Sequence, residues 1–287
     1  MPVDHAVTIV TLDGGPIDDV PLLHADDLAA LRGDGVFETL LVRDGAACLL
    51  DAHLQRLARS AELMELPAPD LSEWRHAVEV ALRQWKTAGE GAMRLIYSRG
   101  RESGSQHSPR PTAYVMITPL PDRIGVARRN GVAALTLDRG LPAQGPPMPW
   151  LLLGAKTLSY AVNMAALRHA AKCGADDVIF VSSDGYVLEG PRSTVVLAEP
   201  GRLVTPPPSQ PILRGTTAEA LFEVARGAGY RCDYTPLRSA DLVAAQDIWL
   251  VSSITLAARV HTLDGRSLRP RIADAEFTAL VDRAVGR

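Results

Sequence analysis

Lys156 is the side chain in this sequence best suited to covalent chemistry. It follows the apolar residues 151–154 and precedes an apolar pattern with helical spacing that ends at Gly174. A lysine acts as a nucleophile only after losing its proton, so it needs partial desolvation or nearby positive charge to lower its pKa. The apolar approach meets that need, but the same residues also fit an ordinary lysine at a helix start whose ammonium reaches water. Local sequence alone favours the ordinary lysine.

Two further groups of ionisable candidates have equally plain alternatives. His53 and Arg56 lie three residues apart on a predicted helix over residues 52–65, with Asp51 as its N-cap, so they share one helix face. Their spacing alone favours a solvated surface. Glu189 ends a predicted strand just before a tight turn, where a carboxylate belongs to a site as often as it stabilises the turn.

Hydroxyl residues mark two possible anion-binding turns. Gly215, Thr216 and Thr217 open a predicted helix, and Thr216 and Glu219 have the spacing of a capping box. The amides and the dipole of a helix N-terminus also suit a phosphate group. A second such turn, over residues 252–255, follows a predicted strand.

A long polar loop joins two predicted strands over residues 92–99 and 112–117. It is longer than a plain hairpin requires, so it is a candidate to cover a site. Arg99, Arg101 and His107, in or beside this loop, could bind a carboxylate, and ordinary loop solubility explains them equally well.

Composition limits the class of protein. The 287 residues are 47% hydrophobic, with a mean hydropathy of +0.04 and a formal net charge of -3. These values suit two compact domains and a small-molecule site, and no nucleic acid or membrane partner is expected. Three widely spaced cysteines favour a reduced cytoplasmic setting and provide neither a disulfide framework nor a cysteine metal site. The sequence shows no export signal and no membrane-spanning run.

Prolines divide the chain. Thr118-Pro119-Leu120-Pro121 ends a predicted strand and stiffens the connection that follows. We therefore expect a small N-terminal α/β domain over residues 1–119, a linker over 120–123 and a larger C-terminal domain over 124–287.

Seven short motifs, taken in order, give the sequence its overall pattern. They are Gly33-Asp34-Gly35-Val36-Phe37-Glu38, His53-x-x-Arg56, Tyr97-Ser98-Arg99-Gly100, Lys156-x-x-Ser159-Tyr160-x-x-Asn163, Leu188-Glu189-Gly190, Ile212-Leu213-Arg214-Gly215-Thr216-Thr217 and Val251-Ser252-Ser253-Ile254-Thr255. This series resembles the fold-type IV pyridoxal 5'-phosphate (PLP) enzymes, which include branched-chain aminotransferases, D-amino acid aminotransferases and 4-amino-4-deoxychorismate lyases. The resemblance covers nearly the whole chain.

The resemblance implies a role for most of the candidates. Lys156 would form the Schiff base with PLP and then move protons, and Glu189 would keep the pyridine nitrogen protonated. Tyr160 would lie near the cofactor ring. The implied phosphate-binding residues are Arg56, Thr216, Thr217, Ser253 and Ile254, and the implied substrate-contacting residues are Phe37, Tyr97, Arg99 and Arg192.

The resemblance also implies a fold and a reaction. The fold would be α/β, with a small N-terminal domain and a C-terminal domain whose sheet forms a pseudo-barrel, in a homodimer. Residues 94–100 and 154–160 look most like the lyase group, which indicates a 4-amino-4-deoxychorismate lyase that eliminates pyruvate and yields 4-aminobenzoate for folate biosynthesis. The alternatives are a class IV aminotransferase acting on branched-chain or D-amino acids, and a PLP-binding protein without turnover.

Three positions depart from the family pattern. Residues 101–107 lack the Arg-x-His pair that D-amino acid aminotransferases place there, which puts carboxylate binding of that type in doubt. Ser159 stands where many relatives have asparagine, and Ile254 where some have a threonine on the phosphate. Neither change excludes PLP, because phosphate contacts at such turns come largely from backbone amides.

Overall fold

The computed structural model describes residues 7–15, 22–103, 110–145, 148–269 and 274–286. Contacts between Cα atoms divide the chain into two compact units. The first unit comprises Met1–Pro121 and Ala155–Tyr160, and the second comprises Asp122–Gly154 and Ala161–Arg287. Lys156 therefore lies in the first unit, although division of the sequence at the prolines assigns it to the C-terminal domain.

The first unit contains a five-stranded antiparallel sheet. Its strands are β1 (Thr8–Thr11), β2 (Gly35–Arg43), β3 (Ala46–Ala47), β4 (Gly91–Ser98) and β5 (Thr112–Pro119). They lie in the order β1-β5-β4-β2-β3. β2 has a long-range partner along its length, because β4 pairs with it from Gly35 opposite Ser98 to Val42 opposite Gly91.

The turn between β2 and β3 lies at Asp44-Gly45, a residue pair that the sequence predicts to form a two-residue hairpin turn. Asp44 and Gly45 have φ values of 52° and 76°, the left-handed conformations that a two-residue type I′ hairpin turn requires. Glycine adopts this conformation without steric cost, and aspartate is one of the few other residues that tolerates it. The prediction of a hairpin at Asp44-Gly45 is confirmed.

The helices of the first unit are α1 (Leu28–Arg32), α2 (Leu50–Leu63) and α3 (Leu71–Gln84). α3 begins after Asp70, whose carboxylate accepts hydrogen bonds from two amides of the first turn. α2, which packs against β2, has Leu49 as its N-cap, so the prediction that Asp51 caps it is wrong. Asp51 lies in the first turn, where its charge still complements the helix dipole.

The second unit contains an eight-stranded mixed sheet. Its strands are β6 (Val132–Asp138), β7 (Asp177–Val181), β8 (Thr194–Glu199), β9 (Arg202–Thr205), β10 (Arg231–Tyr234), β11 (Ile248–Ser252), β12 (Leu256–Leu263) and β13 (Arg266–Ser267). The order is β10-β9-β8-β11-β12-β6-β7, with β13 paired to β12. β6 runs parallel to β7 and β12, whereas β11 is antiparallel to both of its neighbours. The mixed α/β class predicted from the sequence is confirmed.

The helices of the second unit are α4 (Asp122–Asn130), α5 (Ala161–Lys172), α6 (Thr216–Gly227), α7 (Ser239–Ala244) and α8 (Asp274–Val285), with a 3-10 turn at Pro149–Leu151. α4 begins inside the linker expected over residues 120–123. Across the described residues, no helix combines the length and apolar character needed to cross a membrane.

Aromatic packing fixes the strand that leads to one of the predicted anion-binding turns. Trp249 on β11 and Phe277 on α8 are each 1% exposed. Their rings stack with centroids 4.2 Å apart and planes 13° apart, an arrangement that adds to the stabilisation from burial. β11 ends at Ser252, so this packing determines where residues 253–254 lie within the unit.

The segment around Lys156 differs from the sequence prediction. α5 begins only at Ala161. Before it, Thr157 forms a β-bridge with Val36, so the segment is extended beside β2. The prediction of a lysine at a helix entrance is wrong, because pairing with a strand far earlier in the chain overrides the local helical spacing.

Candidate active site

The chain has few lysines that could hold a cofactor covalently. Its sequence contains Lys86, Lys156 and Lys172 and no other lysine. Lys86 and Lys172 are exposed, and Lys86 donates to the carbonyl oxygen of Arg83 at 2.8 Å. Lys156 is half-buried. Because a nucleophilic lysine needs partial desolvation, burial selects Lys156.

Hydrogen bonds on two sides fix the main chain at Lys156. The Phe37 amide on β2 donates to the Lys156 carbonyl at 3.0 Å, and the Leu158 amide donates to the Gly35 carbonyl at 2.8 Å. The Lys156 amide donates to Oγ of Ser60, a residue of α2, at 3.1 Å. β2 and α2 together therefore determine where the lysine side chain begins.

Two aromatic rings border the Lys156 side chain. Nζ lies 4.5 Å from the ring centroid of Phe37 and 5.8 Å from that of Tyr160. The two rings meet edge to face, with centroids 5.5 Å apart and an interplanar angle of 87°. Aromatic faces attract a cation and shield it from water. The structure thus brings together Lys156, Phe37 and Tyr160.

The glycines of the first motif are required by close approach of the backbone. A Cβ on Gly35 would lie 2.7 Å from Cα of Ser98. Gly33 has a φ of +66°, and a Cβ there would lie 2.8 Å from Oγ of Ser159. Side chains larger than hydrogen are excluded at both positions, so these glycines allow the Lys156 segment and β4 to lie close to the start of β2.

One stripe of α2 is buried although its residues are polar. His53, Arg56 and Ser60 have the spacing i, i+3, i+7, which places them on one helix face, and they are 0%, 5% and 1% exposed. The expectation of a solvated face for His53 and Arg56 is therefore wrong. The physical reason is a carboxylate on β2, Glu38, which supplies the compensating charge.

Glu38 is fully buried and bonds to His53 and Arg56. Arg56 donates from Nε to Oε1 and from Nη2 to Oε2, each at 2.7 Å. Nδ1 of His53 lies 2.7 Å from Oε2. Burial alone would raise the pKa of Glu38, but the charge and hydrogen bonds of Arg56, together with the hydrogen bond from His53, hold that pKa well below its ordinary value. Glu38 and Arg56 therefore form a buried ion pair.

His53, by contrast, is neutral. Burial is the largest influence and lowers the pKa of His53; Glu38 opposes this effect, and the charges of Arg56 and Lys156 reinforce it. An ionised carboxylate can only accept a hydrogen bond, so the neutral ring donates Nδ1–H to Glu38. The three side chains together carry no net charge.

In the second unit, Glu189 is half-buried and held by two amides. The Leu213 amide donates to its Oε2 at 3.0 Å, and the Phe180 amide donates to its main-chain carbonyl at 2.9 Å. The strand predicted over residues 186–189 is present only as isolated bridges, such as Val187 with Val181. Because Leu213 precedes α6 by a few residues, the carboxylate is tied to the segment that begins this helix.

The start of α6 differs from the predicted capping box. The N-cap is Gly215, so Thr216 lies inside the helix and does not cap it, and Glu219 pairs with Arg214. The prediction of the capping box is wrong, because close packing requires glycine at the cap: a Cβ on Gly215 would lie 2.2 Å from Oγ1 of Thr194. The amides and the dipole of a helix start are groups that can bind an anion.

The second predicted anion-binding turn contacts this helix start. Oγ of Ser253 lies 3.3 Å from Oγ1 of Thr217, which is 2% exposed. Arg128 on α4 donates from Nη2 to the carbonyl of Ile254 at 2.5 Å. The structure thus groups Thr217, Ser253 and Ile254 in the second unit, and Arg128 adds a positive charge beside them.

Two of the expected substrate residues have structural contacts. The Tyr97 hydroxyl donates to the carbonyl of Pro67 at 2.9 Å. Arg99 donates from Nε to Oδ2 of Asp34 at 2.7 Å, and from Nη1 and Nη2 to two main-chain carbonyls at 3.1 and 2.7 Å. Each Arg99 nitrogen therefore has an acceptor within the first unit. Substrate roles for Tyr97 and Arg99 stay predictions.

The other candidates for carboxylate binding are placed as follows. Arg192 is exposed, and its Nη2 lies 4.0 Å from the carboxylate of Asp177, whose pKa is raised by burial. Arg101 pairs with Asp26 at 2.9 Å. His107 lies outside the described residues. A substrate role for Arg192 also stays a prediction.

The family to which the chain belongs is shown by sequence comparison. The model of the amino-transferase class IV family matches residues 35–263. That range includes Lys156, both possible anion-binding turns and the buried residues Glu38, His53 and Arg56. The chain belongs to the amino-transferase class IV family, as the motif series predicts.

The sequence is also similar to individual proteins of Mycobacterium tuberculosis. It is 68% identical over 289 residues, covering 96% of this chain and 98% of the relative, to a bifunctional aminodeoxychorismate lyase / D-amino acid transaminase. A solved structure of a hypothetical aminotransferase in a PLP-bound form matches with a TM-score of 0.94, at 67% identity over 97% of this chain and 98% of that chain. A form of a hypothetical aminotransferase with alpha-ketoglutarate and PMP matches with a TM-score of 0.93, at 69% identity over the same shares.

Three residues of this arrangement have no role assigned from the sequence alone. Glu38 follows the alternation of buried positions on β2, so an acidic residue in an otherwise apolar strand face was an available signal. Ser60 follows Arg56 by one helical turn, and this spacing places it on the same buried face. Arg128 gives no comparable signal, because its contact with Ile254 arises only from the fold.

Proposed function

We propose that this protein is a PLP-dependent 4-amino-4-deoxychorismate lyase, which eliminates pyruvate from its substrate and releases 4-aminobenzoate for folate biosynthesis. The observation that carries this proposal is the 68% identity, over nearly the full length of both chains, to the mycobacterial lyase and transaminase. The half-buried Lys156 supports it, since an enzyme of this type needs one partly desolvated lysine.

The side chains present fit PLP group by group. Its aldehyde needs a lysine, its ring nitrogen a carboxylate, and its phosphate needs cations and amide donors. Lys156 would hold the aldehyde carbon, Glu189 the ring nitrogen, and Tyr160 would border the ring. We assign the phosphate group to Arg56, Thr216, Thr217, Ser253 and Ile254.

The reaction requires proton transfer by Lys156. When bound, PLP supplies a ring that withdraws electrons from the carbon bearing the substrate amine. Nζ of Lys156, when it is not bonded to the cofactor, would remove the proton from the ring carbon that bears the substrate amine, while the enolpyruvyl oxygen leaves from the adjacent ring carbon. The same proton would then complete pyruvate. Phe37 and Tyr160 border Nζ and limit its access to water, and the Leu213 amide orients Glu189. Aromatisation favours the product, so the protein needs mainly to hold the enolpyruvyl group and transfer one proton.

Transamination of D-amino acids is a second candidate activity with specific support. The 68% identical relative is named for both activities, and a 69% identical structure contains alpha-ketoglutarate with PMP. Both reactions would use the same lysine and the same cofactor. Residues 101–107 contain no Arg-x-His pair, so the substrate carboxylate must be recognised by other groups.

We further propose a homodimer in the cytoplasm. The second unit exposes large apolar side chains at Trp150 (72%), Val162 (54%) and Met164 (41%), which a subunit interface would cover. The three cysteines are free thiols, in keeping with a reducing compartment. Light scattering during gel filtration tests the assembly, and a monomer at micromolar concentration would contradict it.

A product assay tests the reaction. The purified enzyme, supplied with 4-amino-4-deoxychorismate, should release pyruvate and 4-aminobenzoate in equal amounts. Lys156→Ala should abolish both products, whereas Lys172→Ala, which removes an exposed lysine, should leave them unchanged. Turnover of a D-amino acid with 2-oxoglutarate, together with no product from 4-amino-4-deoxychorismate, would contradict the lyase and favour the transaminase.

A further inference from the structure

Glu38 links the two elements that fix Lys156. On β2, the amide of its neighbour Phe37 donates to the Lys156 carbonyl. On α2, the Ser60 hydroxyl oxygen accepts from the Lys156 amide. Glu38 lies on the same strand and binds Arg56 on the same helix, one turn before Ser60. The Glu38–Arg56 ion pair therefore cross-links the same strand and the same helix that fix the main chain of Lys156.

The geometry of this cross-link restricts the Arg56 guanidinium. Two parallel hydrogen bonds of 2.7 Å, from Nε and Nη2, fix the plane of the group as well as its distance from the strand. His53 occupies Oε2 from a second direction at 2.7 Å, so the carboxylate itself cannot rotate without losing a bond. The arginine is consequently held in one orientation before any ligand binds.

Joining a strand to a helix by a buried ion pair requires the unfavourable desolvation of two charges. Apolar side chains of similar volume usually stabilise a protein as well or better, because they avoid the desolvation of two charges. Glu38 and Arg56 are 0% and 5% exposed, so that desolvation is nearly complete. An ion pair at this position is better explained by a need for a guanidinium in a defined place than by a need for stability.

We propose that Glu38 is a positioning residue that sets the affinity of the protein for the phosphate group of its cofactor by acting through Arg56. This inference rests on the proposed function, in which Lys156 holds the aldehyde end of PLP and Arg56 binds the phosphate. The cross-link then holds the guanidinium that binds the phosphate on the helix that also fixes Lys156. His53, which is neutral, holds the second oxygen of the Glu38 carboxylate without adding charge.

Comparison of PLP with pyridoxal, which lacks the phosphate, separates this role from a structural one. Glu38→Gln removes the charge and one acceptor, so Arg56 loses its two-point contact. The dissociation constant for PLP should rise by about 10-fold or more, as expected for loss of a charge-assisted hydrogen bond. The dissociation constant for pyridoxal should change by less than about twofold. Visible absorbance and quenching of tryptophan fluorescence give both constants without any activity measurement.

A double-mutant cycle with Arg56 tests whether Glu38 acts through the arginine. In an Arg56→Gln background, Glu38→Gln should weaken PLP binding by less than about twofold, because the group that it positions is already absent. The doubly neutral variant also removes both buried charges, so it remains measurable if Glu38→Gln alone fails to fold. Glu38→Asp, which keeps the charge but shortens the side chain, should lower PLP affinity by an intermediate factor.

Glu90, the residue that precedes β4, provides a control that contacts the same strand through Arg43. It pairs with Arg43 at the far end of β2 at 2.7 Å, with both side chains 25% exposed. Glu90→Gln makes the same chemical change and should leave both dissociation constants within about twofold of the wild-type values. Loss of PLP affinity in this variant, equal to that in Glu38→Gln, would show a general effect on the sheet and overturn the inference.

The possible outcomes distinguish the inference from the proposed function. An unchanged PLP affinity in Glu38→Gln, an equal loss for pyridoxal, or an equal loss in the Arg56→Gln background would overturn the inference while PLP binding by the wild type stands. A wild-type protein that binds no PLP would overturn the proposed function. A selective loss of PLP affinity that disappears without Arg56 supports the positioning role.

Discussion

The two regions assigned to the phosphate group use opposite physical means. In the first unit, Arg56 supplies a full positive charge, and this charge is buried with a carboxylate that keeps it paired. In the second unit, the start of α6 supplies amides and a dipole, supported by the hydroxyls of Thr217 and Ser253. The first region depends on side-chain ionisation, and the second depends on backbone geometry.

This difference determines how each region should respond to change. A buried ion pair loses stability when either partner is removed, because the other charge is left without compensation. A helix start tolerates the loss of one hydroxyl but not a side chain that displaces its backbone. We therefore expect large charge effects and pH dependence in the first region, and steric effects in the second.

Removal of Arg56 should have the largest effect. Arg56→Gln leaves Glu38 buried without its ion-pair partner, so the free energy of unfolding of the apo protein should fall by about 3–5 kcal/mol, and PLP affinity should fall by about 100-fold. Denaturant titration and PLP titration measure the two quantities. The double variant Arg56→Gln/Glu38→Gln should recover most of the stability but none of the affinity. Recovery of both would contradict a ligand-binding role for Arg56.

A side chain at Gly215 should have the next largest effect. Because a Cβ there would meet Oγ1 of Thr194 at 2.2 Å, Gly215→Ala should shift the helix start and weaken PLP binding by about 10-fold. Thr194→Ala in the same protein should restore part of the affinity. Gly227→Ala, at the other end of α6 where a Cβ meets open space, is the control and should bind PLP normally. Normal binding by Gly215→Ala would exclude a phosphate contact at this helix start.

Acid should reduce, in two stages, the stability that His53 and Glu38 give to the first region. The pKa of His53 is lowered by folding, so stability that is complete above its unfolded-state value of 6.5 is lost as the pH falls below it. The pKa of Glu38 is also lowered by folding, so a second loss begins below about 4.5. Each group contributes up to about 1.4 kcal/mol per pH unit to the slope of the free energy of unfolding against pH. Denaturant titrations across this range should show a smaller slope between pH 6.5 and 5 in His53→Gln than in the wild type, and equal slopes would contradict a neutral buried His53.

Loss of one hydroxyl at the helix start should have the smallest effect. Thr217→Ala removes the contact with Ser253 but keeps the backbone amides, so PLP affinity should fall by only about two- to fivefold. Thr217→Ser, which keeps the hydroxyl, is the matched comparison. A loss as large as that in Arg56→Gln would show that side chains, and not the helix start, hold the phosphate in the second unit.

Local sequence predicted the parts of the fold that depend on local interactions. Asp44-Gly45 specifies its hairpin turn because the two residues must adopt positive φ, which glycine and aspartate tolerate. Lys156 was located wrongly at a helix entrance because its extended conformation depends on bonds to β2 and α2, which are distant in sequence. The order of motifs along the chain still identified the family.

The candidate site was predictable as a set of residues but not as an arrangement. The spacing of His53 and Arg56 is the same on a solvated helix and on a buried one, so only the position of Glu38 on the facing strand decides between them. Thr216 had the sequence of a capping residue, but packing against Thr194 assigns the cap to Gly215. Tertiary contacts of this kind decide burial, and burial decides the charge state.

Chemical trapping of the cofactor tests the central claim that Lys156 is the lysine that binds PLP. The wild-type protein, incubated with PLP, reduced with borohydride and digested, should carry the phosphopyridoxyl group on the peptide that contains Lys156. The same treatment of Lys156→Ala should give no labelled peptide, because Lys86 and Lys172 are exposed and have no comparable surroundings. A label on either of those lysines, or a wild-type protein without any label, would contradict the account.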